Sequence, residues 1–361
     1  MQVESFLELS DVRPATTKRQ DETPTMNIST AIFSADVLKI DAATVAASLE
    51  SQIRDIVLQR LNRKGVVIAI SGGIDSSVVA ALCFKALGTS RVLGLMLPEA
   101  DSSPDSLRFA NLLAQSLGLR THIEDIAGIL TAAGCYQRRD DAIRKVIPQY
   151  TEAYKCKIVL PDQVNGSAYP IFSVVVESPL GERTKARLTL DSYRGVLAAT
   201  NFKQRTRKMM EYYYADLFDY AVAGTPNRLE YDQGFFVKNG DGAADLKPIA
   251  HLYKTQVYQL ATYLGIPQEI QKRPPTTDTY PLEQSQEEFY FPLPYDRMDL
   301  CLYAKNHGLL PEEIASVMEL TPEQVARVYR VIDATRAATR YLHRPAVLCE
   351  GVPEVPDAVR V

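Results

Sequence analysis

The chain has 361 residues, a net charge of −4, and 46% hydrophobic against 23% charged residues, enough for one large α/β domain or two smaller ones. That balance implies no broad basic face for nucleic acid, and no apolar run reaches the about 20 residues that span a bilayer. Five widely spaced cysteines without a CxxC pair, and an N-terminus unlike a secretion signal, argue against structural zinc and for a cytoplasmic protein with reduced thiols and neither a membrane nor a nucleic-acid partner.

Residues 1–25 are polar and aperiodic, with Pro14, Lys18, Arg19, Asp21 and Glu22, and are expected to form a disordered tail. From Asp41, apolar residues at Val45, Leu49, Ile53, Ile56, Val57 and Leu61 recur at helical spacing. The run Val66–Ile70 predicts a buried strand. It passes through Ser71-Gly72-Gly73-Ile74-Asp75-Ser76-Ser77 into the helical pattern from Val78 to Leu82. A second strand, Val92–Leu97, precedes a helix over Asp105–Leu117 that stops at Gly118, and a third strand follows at Thr121–Ile126. Strand and helix alternating at this spacing predict right-handed crossovers and a doubly wound parallel sheet, an α/β fold.

Residues 127–195 break that rhythm. Tyr169–Val176, Pro179-Leu180-Gly181 and Thr184–Leu190 predict a β-hairpin inserted between helices. A helix is expected over Ser192–Ala215, then a short strand at Tyr220–Ala223 delivered into Gly224-Thr225-Pro226-Asn227. Pro311–Arg340 reads as two helices, the second capped by Thr321 with Pro322 at its first position. One domain over 26–345, with 346–361 as a C-terminal extension, accounts for the pattern.

The glycine turn after the first strand carries the clearest chemistry. Backbone N–H groups between a strand and a helix start can close on an anion, and the helix dipole adds to the attraction. No lysine follows the glycines, so this is not the Gly-Lys-Ser/Thr nucleotide loop. Asp75 inside an anion site calls for a divalent cation between the two. The Ser-Gly-Gly-x-Asp-Ser pattern resembles the pyrophosphate loop of the ATP pyrophosphatases, which cleave ATP to AMP and pyrophosphate.

Further along, Gly224-Thr225-Pro226-Asn227-Arg228-Leu229-Glu230, Gly234-Phe235-Phe236-Val237-Lys238-Asn239-Gly240-Asp241-Gly242-Ala243-Ala244-Asp245 and Pro248-Ile249 are similar to the NAD synthetase family. Leu252–Val257, Asn201–Arg207 and Pro274-Pro275-Thr276-Thr277 continue the likeness, which covers roughly residues 40–345. The resemblance implies a Rossmann-like ATP-pyrophosphatase (adenine nucleotide alpha hydrolase-like) fold. It also implies ATP-dependent amidation of deamido-NAD with ammonia through an acyl-adenylate, and a homodimer.

On that resemblance, Ala69, Ile70, Ser71, Gly72, Gly73, Ile74, Asp75, Ser76, Thr225, Lys254 and Thr276 contact ATP, and Asp75 and Glu230 hold Mg²⁺. Asn201, Arg205, Lys238, Asp245, His343 and Arg344 contact deamido-NAD, and Asp75, Lys254 and Asp241 are catalytic. Read without the family, Lys254 is a surface lysine, Asn201 and Arg205 a solvated helix face, Asp241 and Asp245 local turn formers, and Phe235 and Phe236 core aromatics. Arg344 stands where the family has lysine, and Gln286 where it has aspartate. These departures and the insert leave open amidation of a different carboxylate; a nucleotide-binding regulator without catalysis is a separate alternative. Glutamine-using relatives carry a long N-terminal amidase domain, whereas about 65 residues precede the first strand here. The expectation is free ammonia, or ammonia from a separate amidotransferase.

Overall fold

A computed structural model describes residues 33–160, 172–276, 279–284 and 290–352. The expected tail at 1–25, the hairpin start at Tyr169-Pro170-Ile171, Thr277, Gln286 and residues 353–361 lie outside the described residues. The first long helix, α1 (Ala42–Asp55), is capped by Asp41, whose carboxylate accepts from the N–H groups of Ala43 and Thr44, and it buries Ala46, Leu49 and Ile53. It runs on through a π turn at Ile56–Arg60.

The central sheet holds β1 (Val66–Ala69), β2 (Val92–Met96), β3 (Thr121–Ile123) and β7 (Ala221–Val222), all parallel, in the order β3-β2-β1-β7. Side chains alternate across it. Val66, Ile68, Val92 and Met96 join one core, while Val67, Leu93, Leu95 and Val222 join the other, so both faces are covered and the strands are apolar throughout. On the first face lie α1, α2 (Ile74–Leu87), α3 (Pro104–Leu117) and α8 (Lys254–Tyr263). The central one, α2, is buried around its whole circumference at Val78–Cys83. On the second face, α4 (Ala127–Ala132), α5 (Cys135–Arg144) and α6 (Leu190–Phe218) contribute Leu130, Cys135, Met210 and Ala215.

From β1 the chain builds outward through β2 and β3, then crosses back to lay β7 on the other side of β1. The crevice at such a reversal lies beyond the carboxyl ends of the two adjacent strands. The loops after β1 and β7 both empty into it.

Several boundaries differ from expectation. Helix α2 starts at Ile74 rather than Val78, because Gly73 takes the extended N-cap conformation and the Ser76 and Ser77 hydroxyls donate to its carbonyl at 3.0 and 2.8 Å. Strand β3 ends at Ile123, after which Glu124 and Ile126 donate to the carbonyls of Met96 and Pro98. Helix α6 extends past the expected Ser192–Ala215 at both ends, with Thr189 accepting from the Ser192 N–H at 3.1 Å.

The segment 127–195 holds more than a hairpin. β5 (Ser173–Glu177) and β6 (Arg183–Arg187) are the expected pair, but β4 (Lys155–Val159) adds a third antiparallel strand. Only Cys156 and Ile158 mark its buried face, too short an alternation to stand out.

After β7 come the short helices α7 (Arg228–Gln233) and α9 (Gln268–Gln271) on either side of α8, then α10 (Tyr295–Asn306), α11 (Pro311–Met318) and α12 (Pro322–Thr339). Thr321 and Gln324 form the capping box expected for α12. Helix α10 sends Asp299 to the start of α8, where its Oδ2 accepts from the Thr255 N–H at 2.7 Å and the Thr255 hydroxyl at 3.0 Å. Asp299 is fully buried, and that burial pushes its carboxyl up to about 7 against the pull of these bonds.

The raised value means that the native chain holds a proton the unfolded chain has lost. Stability from this group is therefore full below pH ~4 and declines as pH rises toward ~7. Asp299→Asn keeps the acceptor oxygen and should flatten this decline by about 2–4 kcal/mol, read as the difference in urea midpoints between wild type and variant at pH 5 and pH 7.5.

Candidate active site

The crevice opens as a cleft of about 540 Å³. Ala69, Ile70, Ser71, Gly73, Ile74, Asp75 and Ser76 line it, on the turn between the central strand and the buried helix. Gly72 has a φ of +76°, and a Cβ there would lie 2.5 Å from the Ser106 carbonyl oxygen and 2.8 Å from the Phe109 Cβ. Only glycine therefore serves at this turn. The Ser71 and Ser76 hydroxyls lie 3.2 Å apart, and Ser71 Oγ accepts from the Gly73 N–H at 3.3 Å. Hydroxyls and N–H groups at the head of α2 make a cradle for an anion.

Asp75, in the first turn of α2, is the electrostatic hub. Its Oδ2 pairs with Lys254 Nζ, and its Oδ1 accepts from Asn227 Nδ2 at 3.1 Å. Asn227 closes a capping box at the start of α7: its Oδ1 accepts from the Glu230 N–H at 3.1 Å, while Glu230 Oε2 accepts from the Asn227 N–H at 3.2 Å. One asparagine thus fastens the loop after β7 to the helix after β1, and the Asp75 and Glu230 carboxylates converge on it. Lys254 is buried, which by itself would lower its pKa, but Asp75 and then Glu230 outweigh that and hold the ammonium charged. Thr225 and Thr276 line the same cleft.

The other side of the cleft is made by α6 and the glycine-rich loop. Asn201, Arg205, Lys238 and Asp241 all line it. Arg205 Nε donates to the Lys238 carbonyl at 3.3 Å. Asp241 Oδ1 accepts from the Val237 N–H at 2.8 Å. Burial pushes the Asp241 carboxyl up, against the Val237 N–H and the charge of Lys208. Lys238 Nζ donates to the carbonyls of Tyr341 and Arg344, both at 2.9 Å, and lies over the Tyr341 ring, so the C-terminal segment closes against the cleft.

Besides Gly72, which packs against α3, three residues named from the sequence lie elsewhere than in the cleft lining. Asp245 sits at the sheet edge, its Oδ2 accepting from the Val222 N–H at 2.7 Å and its Oδ1 from the Tyr212 hydroxyl at 3.3 Å. Its N–H donates in turn to the Val222 carbonyl at 2.9 Å, and a bridge between Ala223 and Leu246 extends the pairing of β7. His343 packs edge-on against Tyr231 and Phe236, with centroids at 4.8 and 5.1 Å, beside a shallower concavity. Burial, then the Lys247 charge, lower its pKa. Arg344 is exposed and contributes its carbonyl to Lys238.

The cleft also holds residues that the sequence did not single out. Lys208 and Glu211 form a buried pair at 2.8 Å on α6, and Arg273 donates to the Ser106 hydroxyl at 3.0 Å. The stacked rings of Phe172 and Tyr193, 4.2 Å between centroids, bring the inserted segment to the cleft wall. A charged pair three residues apart on one helix reads in sequence as a solvated face. Only the tertiary packing reverses that.

Comparison with known proteins gives a consistent result. The family model described as NAD synthase matches residues 45–149 and 177–340, leaving out a stretch that contains β4. The NH(3)-dependent NAD(+) synthetase of Rhizobium meliloti is 55% identical over 324 residues, covering 90% of this chain and 97% of its own. That of Rhizobium rhizogenes is 54% identical over 320 residues, covering 89% and 96%. The solved structure of an NH3-dependent NAD synthetase from Campylobacter jejuni matches with a TM-score of 0.57 at 23% identity, over 86% of this chain and all of that one, a likeness of fold.

Proposed function

The chain belongs to the NAD synthase family, and from that premise we propose that it is a ligase that amidates deamido-NAD to NAD, using ATP and ammonia and releasing AMP and pyrophosphate through an acyl-adenylate. The observation that supports this most directly is Asp75 held between Lys254 and Asn227 at the head of the glycine turn, with Glu230 alongside.

A pyridine carboxylate is a poor acyl donor, so the α-phosphate of ATP must first take it as an adenylate. Negative charge builds in that step. The Ser71–Ser76 turn receives the pyrophosphate, Thr225 and Thr276 orient the nucleotide, and Lys254 supplies the compensating charge from a buried position where it counts for more than in water. Two convergent carboxylates suit Mg²⁺, a hard cation that takes its other ligands from phosphates and water, so Asp75 and Glu230 fit as its protein ligands. When bound it would neutralise phosphate charge.

Asn201, Arg205 and Lys238 face the acid substrate. Asp241, whose carboxyl is shifted up, can accept the proton that ammonium must lose before it attacks. Asp245 serves this half through the sheet edge. His343 and Arg344 do so through the C-terminal segment, which Lys238 anchors.

Among the described residues no helix is long and apolar enough to cross a membrane, and all five cysteines are free thiols, four of them buried, which supports a cytoplasmic setting. The family domain extends over 26–345, interrupted within 127–195. A homodimer is supported by Met209, Tyr213 and Leu217, which are 52%, 56% and 58% exposed and recur every four residues along one face of α6. Tyr213→Glu should weaken self-association at least tenfold, measured by sedimentation velocity.

Incubation of the purified chain with ATP, Mg²⁺, ammonium and deamido-NAD should release AMP and NAD in equal amounts. AMP release only with another carboxylic acid, or binding of ATP without turnover, would overturn the reading. Ammonia from a partner amidotransferase would show as activity with glutamine only when that protein is added.

A further inference from the structure

Lys203 sits on α6 between Asn201 and Arg205, and its side chain is wholly buried. Its ammonium donates to two acceptors outside its own helix, Asp101 Oδ2 and the Thr279 carbonyl at 2.8 Å, and forms an ion pair with Glu99 Oε1 at 2.9 Å. Glu99 and Asp101 belong to the loop after β2, in which Leu97, Pro98, Ser102 and Ser103 line the cleft. Thr279 follows Arg273, Pro274, Pro275 and Thr276, which line it as well.

The acceptors are themselves held from the second face of the sheet. The Tyr136 hydroxyl donates to Glu99 Oε2 at 2.8 Å, and Arg139 pairs with both Asp101 and Asp140. The stretch beyond Thr279 is laid along β4: the Leu282 N–H donates to the Cys156 carbonyl at 3.2 Å, Lys157 Nζ to the Glu283 carbonyl at 3.1 Å, and the Gln284 amide to the Ile158 carbonyl.

A desolvated ammonium is costly unless opposite charge and hydrogen-bond acceptors surround it. Here the two loops on the nucleotide side supply the acceptors, and the cation comes from the helix that presents Asn201 and Arg205. Moving the loop after β2 leaves that charge unpaired and moving the Thr279 stretch removes one of its two acceptors, so the positions of the three segments specify one another.

We propose that Lys203 is a positioning residue that couples the loops on the nucleotide side of the cleft to the helix on the acid side, so that filling the first orders the second. The assignment of the two sides rests on the function proposed above. The test is hydrogen exchange on the full chain with and without a non-hydrolysable ATP analogue, in wild type, Lys203→Met and Glu99→Gln. In wild type the analogue should slow exchange in 97–103, in 279–284 and in α6 around Asn201–Arg205 together.

In the variants, protection of α6 should fall about tenfold while protection of the Ser71–Ser76 turn persists. The KM for deamido-NAD should rise about tenfold, with kcat within threefold. Equal protection of α6 in wild type and variant, or a loss confined to kcat, would overturn the proposal. Should Lys203→Met fail to fold, Glu99→Gln, which keeps shape and acceptor, decides alone by the same two readouts. A wild-type chain inactive on deamido-NAD would sink the functional reading, and the exchange experiment with the ATP analogue would still judge the coupling.

Discussion

Asp75→Asn will lower kcat/KM for ATP by about 10²–10³-fold while the chain remains folded. The expectation follows from where the carboxylate stands. Its two oxygens are committed to Lys254 and Asn227, and its charge lies where triphosphate and cation meet in the proposed reaction. Asparagine keeps the shape and one acceptor but removes the charge, so what is lost is stabilisation of charge that develops during adenylation, a contribution of about 2.7–4 kcal/mol for a single well-placed group.

The same change leaves Lys254 buried without its nearest counter-charge. Removing one partner of a buried pair costs about 3–5 kcal/mol when nothing else compensates; Glu230 remains nearby and should hold the loss near ~1–3 kcal/mol. Pyrophosphate release per folded molecule, measured alongside a urea melt, separates the two effects. A loss of activity below tenfold would remove Asp75 from the proposed machinery.

Gly72→Ala should destabilise the fold by about 2–4 kcal/mol and abolish measurable nucleotide binding. The left-handed φ of +76° costs an alanine about 1–2 kcal/mol. A methyl group 2.5 Å from a backbone oxygen must also push α3 away from the turn. Gly118 provides the comparison. It too has a left-handed φ, +64°, but nothing lies within 4 Å of an added Cβ. Gly118→Ala should therefore cost only the conformational part, about 1 kcal/mol, and leave ATP binding intact. Equal effects at the two positions would mean that the approach of α3 to the turn carries no energy.

What the sequence makes legible is short-range. The glycine turn at Ser71–Gly73, the alternation of strands and helices up to Thr121 and the cap at Thr321 stand where expected, and the motif from Thr225 to Glu230 announces itself within a few residues. The less legible features depend on partners far along the chain. Lys203 and the Lys208–Glu211 pair look like solvated helix residues until α6 is packed against the sheet.

Asp245 shares its motif with Asp241, but the strand edge beside it, formed by Val222, decides that it bonds there rather than lining the cleft. Strand β4 carries too few apolar positions to show, and it is recognised only through the strand it pairs with. The Ile74 helix start was hidden because Gly73, a poor helix residue, serves as the cap.

The side-chain bond from Asn227 to Asp75 joins residues 152 positions apart, one on the loop after β7 and the other on the helix after β1, its neighbour in the sheet. A fragment that stops short of Asn227 keeps the glycine turn but loses this hold on Asp75, so affinity for a nucleotide is a property of the assembled tertiary structure. The same linkage runs in reverse. A ligand that binds only the complete crevice must raise the melting temperature by mass action, which makes a thermal-shift titration with ATP a direct gauge of whether strand-order reversal has been achieved during refolding.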